Sequence, residues 1–249
     1  MERDHRSPVA SFLSDTTPTA GEPLTLGESA AHHARVKRLE PGDVVRITDG
    51  AGTAGTGPIE QLRRGAIDVI VQSVERRPRP SPIHLRIPIG DRDRMLWLAE
   101  KATELGVSTW QSVRFRRSRS VSPRGEGEAF ATKLRMRMVG ALEQSGGVWL
   151  PSILPEADVS ATSVPDDPPA LRILLDITGE PLFELAALAA THEPVVLFGP
   201  EGGMESAERD ALLSSGWRAA GLAQDTLRFE TAGIAAVAVL RAATLGASR

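Results

Sequence analysis

The spacing of apolar residues changes character along the chain, and the change separates two regions. From about Pro23 to Glu75 the pattern is short and β-like. A polar helical segment, Ala30 to Leu39, leads to the turn Pro41-Gly42-Asp43. Val44 to Thr48 then reads as a strand, Asp49-Gly50 as a hairpin-type turn, and Ala66 to Val74 as another strand. Prolines at 78, 80 and 82 suit neither a helix interior nor a central strand, so Arg76 to Pro82 reads as a linker.

Beyond the linker, strand and helix patterns alternate. Ile83 to Ile89 reads as a strand. Asp91 to Leu105 reads as a helix, because Met95, Leu98, Ala99, Ala102 and Leu105 recur on one face. Leu171 to Leu175 and Val195 to Phe198 are continuous apolar runs of the buried-strand type, and Ala219 to Leu222 is a shorter one. Helices fit Leu182 to Ala190, Ser206 to Ser214 and Thr231 to Ala243. Leu134, Met138 and Leu142 mark the packing face of a basic helix, and Asp158 to Pro169 reads as a polar surface loop. The pattern predicts an α/β fold: a small β-rich domain over residues 1–75, then a mostly parallel sheet covered by helices over 76–249.

Composition narrows the classes. With 41% hydrophobic and 24% charged residues among 249, the chain is globular rather than disordered. The absence of cysteine excludes a disulfide framework, a thiolate metal site and a cysteine nucleophile, and it suits a reducing compartment. Met1 to Arg6 lacks the apolar core of a signal peptide, and Ile234 to Leu240 is too short to span a bilayer. A cytoplasmic location with no membrane partner is therefore expected. Net charge is only −3, but Gln111 to Gly140 carries eight Lys/Arg against Glu126 and Glu128, or 8 − 2 = 6 positive charges. A local field of that sign attracts phosphate, so Arg116, Arg117 and Arg119 are candidate RNA contacts.

Four segments carry candidate chemistry. Leu197-Phe198-Gly199-Pro200-Glu201-Gly202-Gly203 follows an apolar strand and precedes a helix, where a ligand meets exposed backbone. Taken alone it also fits a plain strand-to-helix turn. No Gly-Lys-Ser/Thr follows, so it is not a nucleotide P-loop. Leu222-Ala223-Gln224-Asp225-Thr226-Leu227-Arg228-Phe229-Glu230-Thr231-Ala232 places opposite charges at a helix N-terminus, where a capping ion pair is the plain alternative. Glu100 to Val107 and Ala141 to Gly147 each end a helix at glycine. His32 and His33 show no metal-ligand spacing, which leaves a structural role or a phosphate contact.

Taken in order, Glu100 to Val107, Glu143 to Gly146, Gly199 to Gly203 and Leu227 to Ala232 resemble the RsmE family, the 16S rRNA uridine-N3 methyltransferases of the SPOUT superfamily. His32 to Asp43 resembles that family's first domain, so the likeness covers nearly the whole chain. It implies a PUA-like β-barrel followed by a SPOUT domain with a deep trefoil knot, no metal, and a homodimer with the active site near the dimer interface. It implies S-adenosyl-L-methionine as cofactor, enclosed by Leu197, Phe198, Gly199, Pro200, Glu201, Gly202, Leu222, Ala223, Thr226 and Leu227. Arg35, Lys37, Arg38 and Gln144 join the arginines as expected contacts to 16S rRNA within the small ribosomal subunit. Arg228 is expected to stabilise negative charge on the target base, and Glu230 to orient Arg228 or the following helix. Three positions depart from the family pattern: Ala223 stands where glycine is usual, and Asp225 and Gly147 where arginine is usual. Two alternatives remain open: a non-catalytic RNA-binding assembly factor, and a SPOUT methyltransferase acting on another RNA position.

Overall fold

The computed structural model describes residues 7–120, 124–161 and 170–247. The chain divides into two compact units, Met1–Arg79 with Val139–Leu150, and Pro80–Met138 with Pro151–Arg249. A single cut between residues 75 and 76 does not anticipate the return of Val139–Leu150 to the first unit.

The first unit contains β1 (Ala10–Leu13), β2 (Pro23–Leu26), α1 (Glu28–Val36), β3 (Val44–Thr48), β4 (Thr53–Leu62), β5 (Ile67–Ile70) and β6 (Ser73–Arg76). Its sheet runs β1-β3-β4-β5-β2, with β6 also paired to β4. Among the described residues only the β1–β3 pair of this unit is parallel. Phe12, Ile47, Ile59, Ile67 and Val69 form the core, closed by Ala31 and Ala34 of α1. The strand expected over Ala66 to Val74 is two strands. Its first half pairs with Ile59 to Leu62 of β4 and its second half with Thr53 to Thr56, so the chain must break pairing between them. Gly57 sits at that crossing. A Cβ there would lie 1.8 Å from the Ile70 carbonyl oxygen, a distance no side chain tolerates.

The second unit contains β7 (His84–Pro88), α2 (Arg92–Glu104), β8 (Thr109–Arg114), α3 (Glu128–Ser145, whose last turns belong to the first unit), β9 (Ser152–Asp158) and β10 (Ala170–Pro181). It continues through α4 (Leu182–Ala186), β11 (Glu193–Phe198), α5 (Ser206–Ser214), β12 (Arg218–Gly221) and α6 (Phe229–Ala247). The sheet order is β12-β10-β11-β7-β8-β9, and every pairing is parallel. Parallel strands buried on both faces explain the continuous apolar runs. The helix expected over Leu182 to Ala190 tightens to 3-10 geometry at Ala187–Ala190. Of the loop expected over Asp158 to Pro169, Asp158 ends β9 and Val159–Ala161 form a 3-10 turn, while 162–169 lie outside the described residues.

Alternation along β11 sorts its side chains. Val195 and Leu197 pack with Leu212 of α5 and with Trp217. Phe198 points to the opposite face, where a Cβ on Gly233 of α6 would touch its ring at 3.0 Å. On that face α6 packs against α2.

Candidate active site

Ligands collect at the carboxyl ends of parallel strands. Here Leu175, Asp176 and Ile177 of β10, the loop Phe198 to Glu201 after β11, and most of Leu222 to Phe229 after β12 enclose a cavity of about 530 Å3. That volume lies within the range of small-molecule sites, roughly 300–1,000 Å3. In the glycine-rich loop the Gly203 amide donates to the Pro200 carbonyl at 2.8 Å. Gly203 has φ +75°, which glycine adopts without strain.

The cavity has apolar walls and fixed charge. Leu175, Ile177, Phe198, Leu222 and Leu227 supply the walls. Asp176 accepts from Arg209 Nε at 2.6 Å and from the amide and hydroxyl of Thr178 at 2.9 and 2.8 Å. Burial alone would raise the Asp176 carboxyl, but these bonds outweigh it and hold the group below the usual carboxylate range. Asp176 is thus a permanent anion at neutral pH. Glu201 and Asp225 add two further carboxylates and Thr226 a hydroxyl. A flat apolar slot beside carboxylates and a hydroxyl suits S-adenosylmethionine, which joins an adenine ring to a ribose and two positive centres.

Of the residues expected around a cofactor, Phe198, Gly199, Pro200, Glu201, Leu222, Ala223, Thr226 and Leu227 line this cavity. Two do not. Leu197 is sent to the α5 face by strand alternation. Gly202 faces the arginine turn instead: a Cβ there would meet the Arg117 carbonyl oxygen at 3.3 Å.

Arg228 lines the cavity and is exposed, and its carbonyl accepts the first bond of α6 from the Ala232 amide at 2.9 Å. The expected link from Glu230 to Arg228 is replaced. Glu230 is 7% exposed, and Oε1 lies 3.8 Å from Nε of Arg94, a residue that lines the cavity from α2. Sequence reasoning missed Arg94, Asp176 and Arg209. The run Asp91-Arg92-Asp93-Arg94 at a helix start was the available signal for the first, and the polar break after Leu175 for the second.

Arg116 and Arg117 occupy a 3-10 turn, Arg116–Ser120, after β8. Arg117 Nη1 donates to the Gly202 carbonyl at 3.3 Å. Arg116 pairs with Glu205 at 3.3 Å, and its amide donates to Glu208 at 2.9 Å, at the start of α5. The Arg119 side chain lies outside the described residues. In the first unit, Arg35, Lys37 and Arg38 are exposed at the end of α1, and Arg38 has a positive φ of 56°. Lys37 and Gln144 line a cleft of about 710 Å3 together with His33, Arg46 and Glu143. His33 meets Phe12 edge-on at 5.5 Å and lies 3.5 Å from Glu143, which gives it a structural role. Among the described residues, no group of three or more His, Cys, Asp or Glu is placed to hold a metal ion. No helix among them is long and apolar enough to cross a membrane.

A parallel α/β sheet with a ligand-sized cavity at its carboxyl edge defines a small-molecule-binding domain. Residues 77–241 match the family model of the RNA methyltransferase domain, and 26–72 that of the RNA methyltransferase PUA domain. The chain belongs to this RNA methyltransferase family. A relative from Mycobacterium bovis, named ribosomal RNA small subunit methyltransferase E, is 28% identical over 240 residues, covering 92% of this chain and 88% of its own. The ribosomal RNA small subunit methyltransferase E of Neisseria gonorrhoeae, solved with S-adenosylmethionine, superposes with TM-score 0.82 at 24% identity. It covers 94% of this chain and 97% of its own, and shows the shared fold. A Legionella pneumophila protein named as a methyltransferase and solved with the same cofactor gives TM-score 0.77 at 25% identity, with 94% and 97% covered.

Proposed function

We propose that the protein transfers a methyl group from S-adenosylmethionine to N3 of a uridine in the 16S rRNA of the small ribosomal subunit. The observation that carries this is the cavity at the ends of β10, β11 and β12, in a chain whose relatives are named as small-subunit rRNA methyltransferases. Asp176, Thr226 and the backbone of Gly199 to Glu201 would hold the polar parts of the cofactor, and Leu222 and Leu227 the adenine. When bound, the cofactor supplies a methyl group already activated on a sulfonium, so the chain's own work is positioning and charge control. A uridine imide is a poor nucleophile until its N3 proton leaves. Arg228, at the cavity edge, stabilises the negative charge that then spreads over the base.

Arg35, Lys37, Arg38 and Gln144 of the first unit, and Arg116, Arg117 and Arg119 of the second, are the proposed RNA contacts. Two copies pair in the active form. Phe183, 82% exposed, and the exposed Ile177, Trp97 and Leu245 leave apolar surface on the second unit that supports such pairing. A substrate inside the small subunit places the reaction in the cytoplasm. Calorimetric titration of the protein with S-adenosylmethionine tests the reading: saturable one-site binding is expected. A folded protein that shows no binding up to millimolar cofactor contradicts it.

A further inference from the structure

The loop from Gly199 to Gly203 belongs to no strand or helix. Apart from its own turn, it is tied by Arg117 at the Gly202 carbonyl and by Arg94, whose Nη1 donates to the Glu201 carboxylate. The same guanidinium reaches Glu230 in the first turn of α6 through Nε, at 3.8 Å. Glu230 Oε2 is buried and has no hydrogen-bond partner among the described residues. One arginine thus faces two carboxylates, from two segments that both line the cavity.

We propose that Arg94 is a positioning residue that sets the width of the cofactor cavity by holding the loop after β11 and the start of α6 at fixed separation; this rests on the methyltransferase reading above. The physical argument has two parts. A buried carboxylate with no cation beside it is costly, so Glu230 would turn outward or draw in water if Arg94 were lost. The planar guanidinium donates to Glu201 while staying within ion-pair distance of Glu230, an arrangement that a point-charge ammonium on a flexible stem does not reproduce. Asp91 fixes the base of this arm: its Oδ1 caps α2 by accepting from the amides of Asp93 at 3.1 Å and Arg94 at 3.0 Å. Arg94 therefore enters the cavity from a pinned helix terminus rather than from a loop.

Three variants test this: Arg94→Met, Arg94→Lys and Glu201→Gln, alone and with Arg94→Met and Glu201→Gln combined. Arg94→Met is expected to weaken S-adenosylmethionine binding about tenfold, while kcat at saturating cofactor stays within about threefold. Arg94→Lys recovers less than half of that loss. Because both act through one contact, adding Glu201→Gln to Arg94→Met costs no more than about a further threefold. In cofactor-free protein, hydrogen exchange at the Gly203 and Ala232 amides, the bonded donors of the two segments, quickens in Arg94→Met, while α5 exchanges as in the parent. Parent-like cofactor affinity and exchange in Arg94→Met would overturn the proposal. So would losses from Arg94→Met and Glu201→Gln that multiply. If the parent itself binds no cofactor, the methyltransferase reading fails, and the exchange measurement still decides whether Arg94 clamps the two segments.

Discussion

Two arginines line the cavity and their surroundings separate their roles. Arg94 faces two carboxylates, whereas the Arg228 side chain makes no ion pair among the described residues. Among the described residues no capping pair joins Arg228 to Glu230, which pairs with Arg94 instead. Arg228→Ala is therefore expected to leave the melting temperature within about 2 °C, as is usual for an exposed side chain without partners. Turnover should fall on the order of a hundredfold with unchanged cofactor affinity, the effect of losing one donor that acts in the transition state. Single-turnover methylation run beside a thermal melt separates the two readouts. Glu143 offers a test of a different kind. Its carboxylate accepts from the Leu13 amide at 2.9 Å, and burial pushes the group above the usual glutamate value despite that bond and the nearby His33 and Lys37. A raised folded-state value means that the stability this group contributes is present below the unfolded value and is lost as pH rises through the folded one. Glu143→Gln keeps the acceptor and never charges. The variant should melt with the parent near pH 4 and above it near pH 8; a difference constant with pH would contradict the assignment.

Elements with a strong apolar period were legible, and those without one were not. The α2 face of Met95, Leu98, Ala99 and Ala102 is buried as its spacing predicts, and α5 has the expected span, Ser206–Ser214. By contrast, β4 contains Gly55, packed by the side chains of Pro18 and Val71, Gly57, crossed by the Ile70 backbone, and Pro58, and so it carries no strand signature. β9 lies at the sheet edge with Pro155, Glu156 and Asp158, residues that protect an exposed edge and erase the alternation. In the site, the glycine-rich loop and the segment after β12 were legible as irregular polar breaks after apolar runs. Partners drawn from distant elements, such as Arg94 and Arg209, were not, because no local pattern encodes a contact between helices. Arg241 is the clearest case at this scale. Buried on α6, it donates to the carbonyls of Leu105 at 3.0 Å, Gly106 at 2.6 Å and Ser81 at 2.8 Å. It thereby closes the C-terminus of α2, where cations are favoured. Arg241→Met strands three acceptors and should cost about 3 kcal/mol in urea unfolding. Since Arg241 lies some three turns from Phe229, about 18 Å along the axis, cofactor affinity below the melting point should scarcely change.

At the scale of the molecule, charge is local rather than global. A net charge of −3 hides six positive charges between Gln111 and Gly140, and the turn that carries Arg116 and Arg117 rests on the glycine-rich loop. Arg117, one of the arginines proposed to meet RNA, therefore also braces the glycine-rich loop, so replacing it should disturb both partners at once. The cofactor cavity itself is formed within the second unit, and the cleft holding Lys37 and Gln144 within the first. The central claim is the chemistry and its target. Small ribosomal subunits from cells lacking the corresponding methyl group, incubated with the protein and methyl-labelled S-adenosylmethionine, should yield on nucleoside mass analysis one labelled product, N3-methyluridine, confined to 16S rRNA. Label on a ribose, on another base or in transfer RNA, or no label in the presence of bound cofactor, would contradict the account.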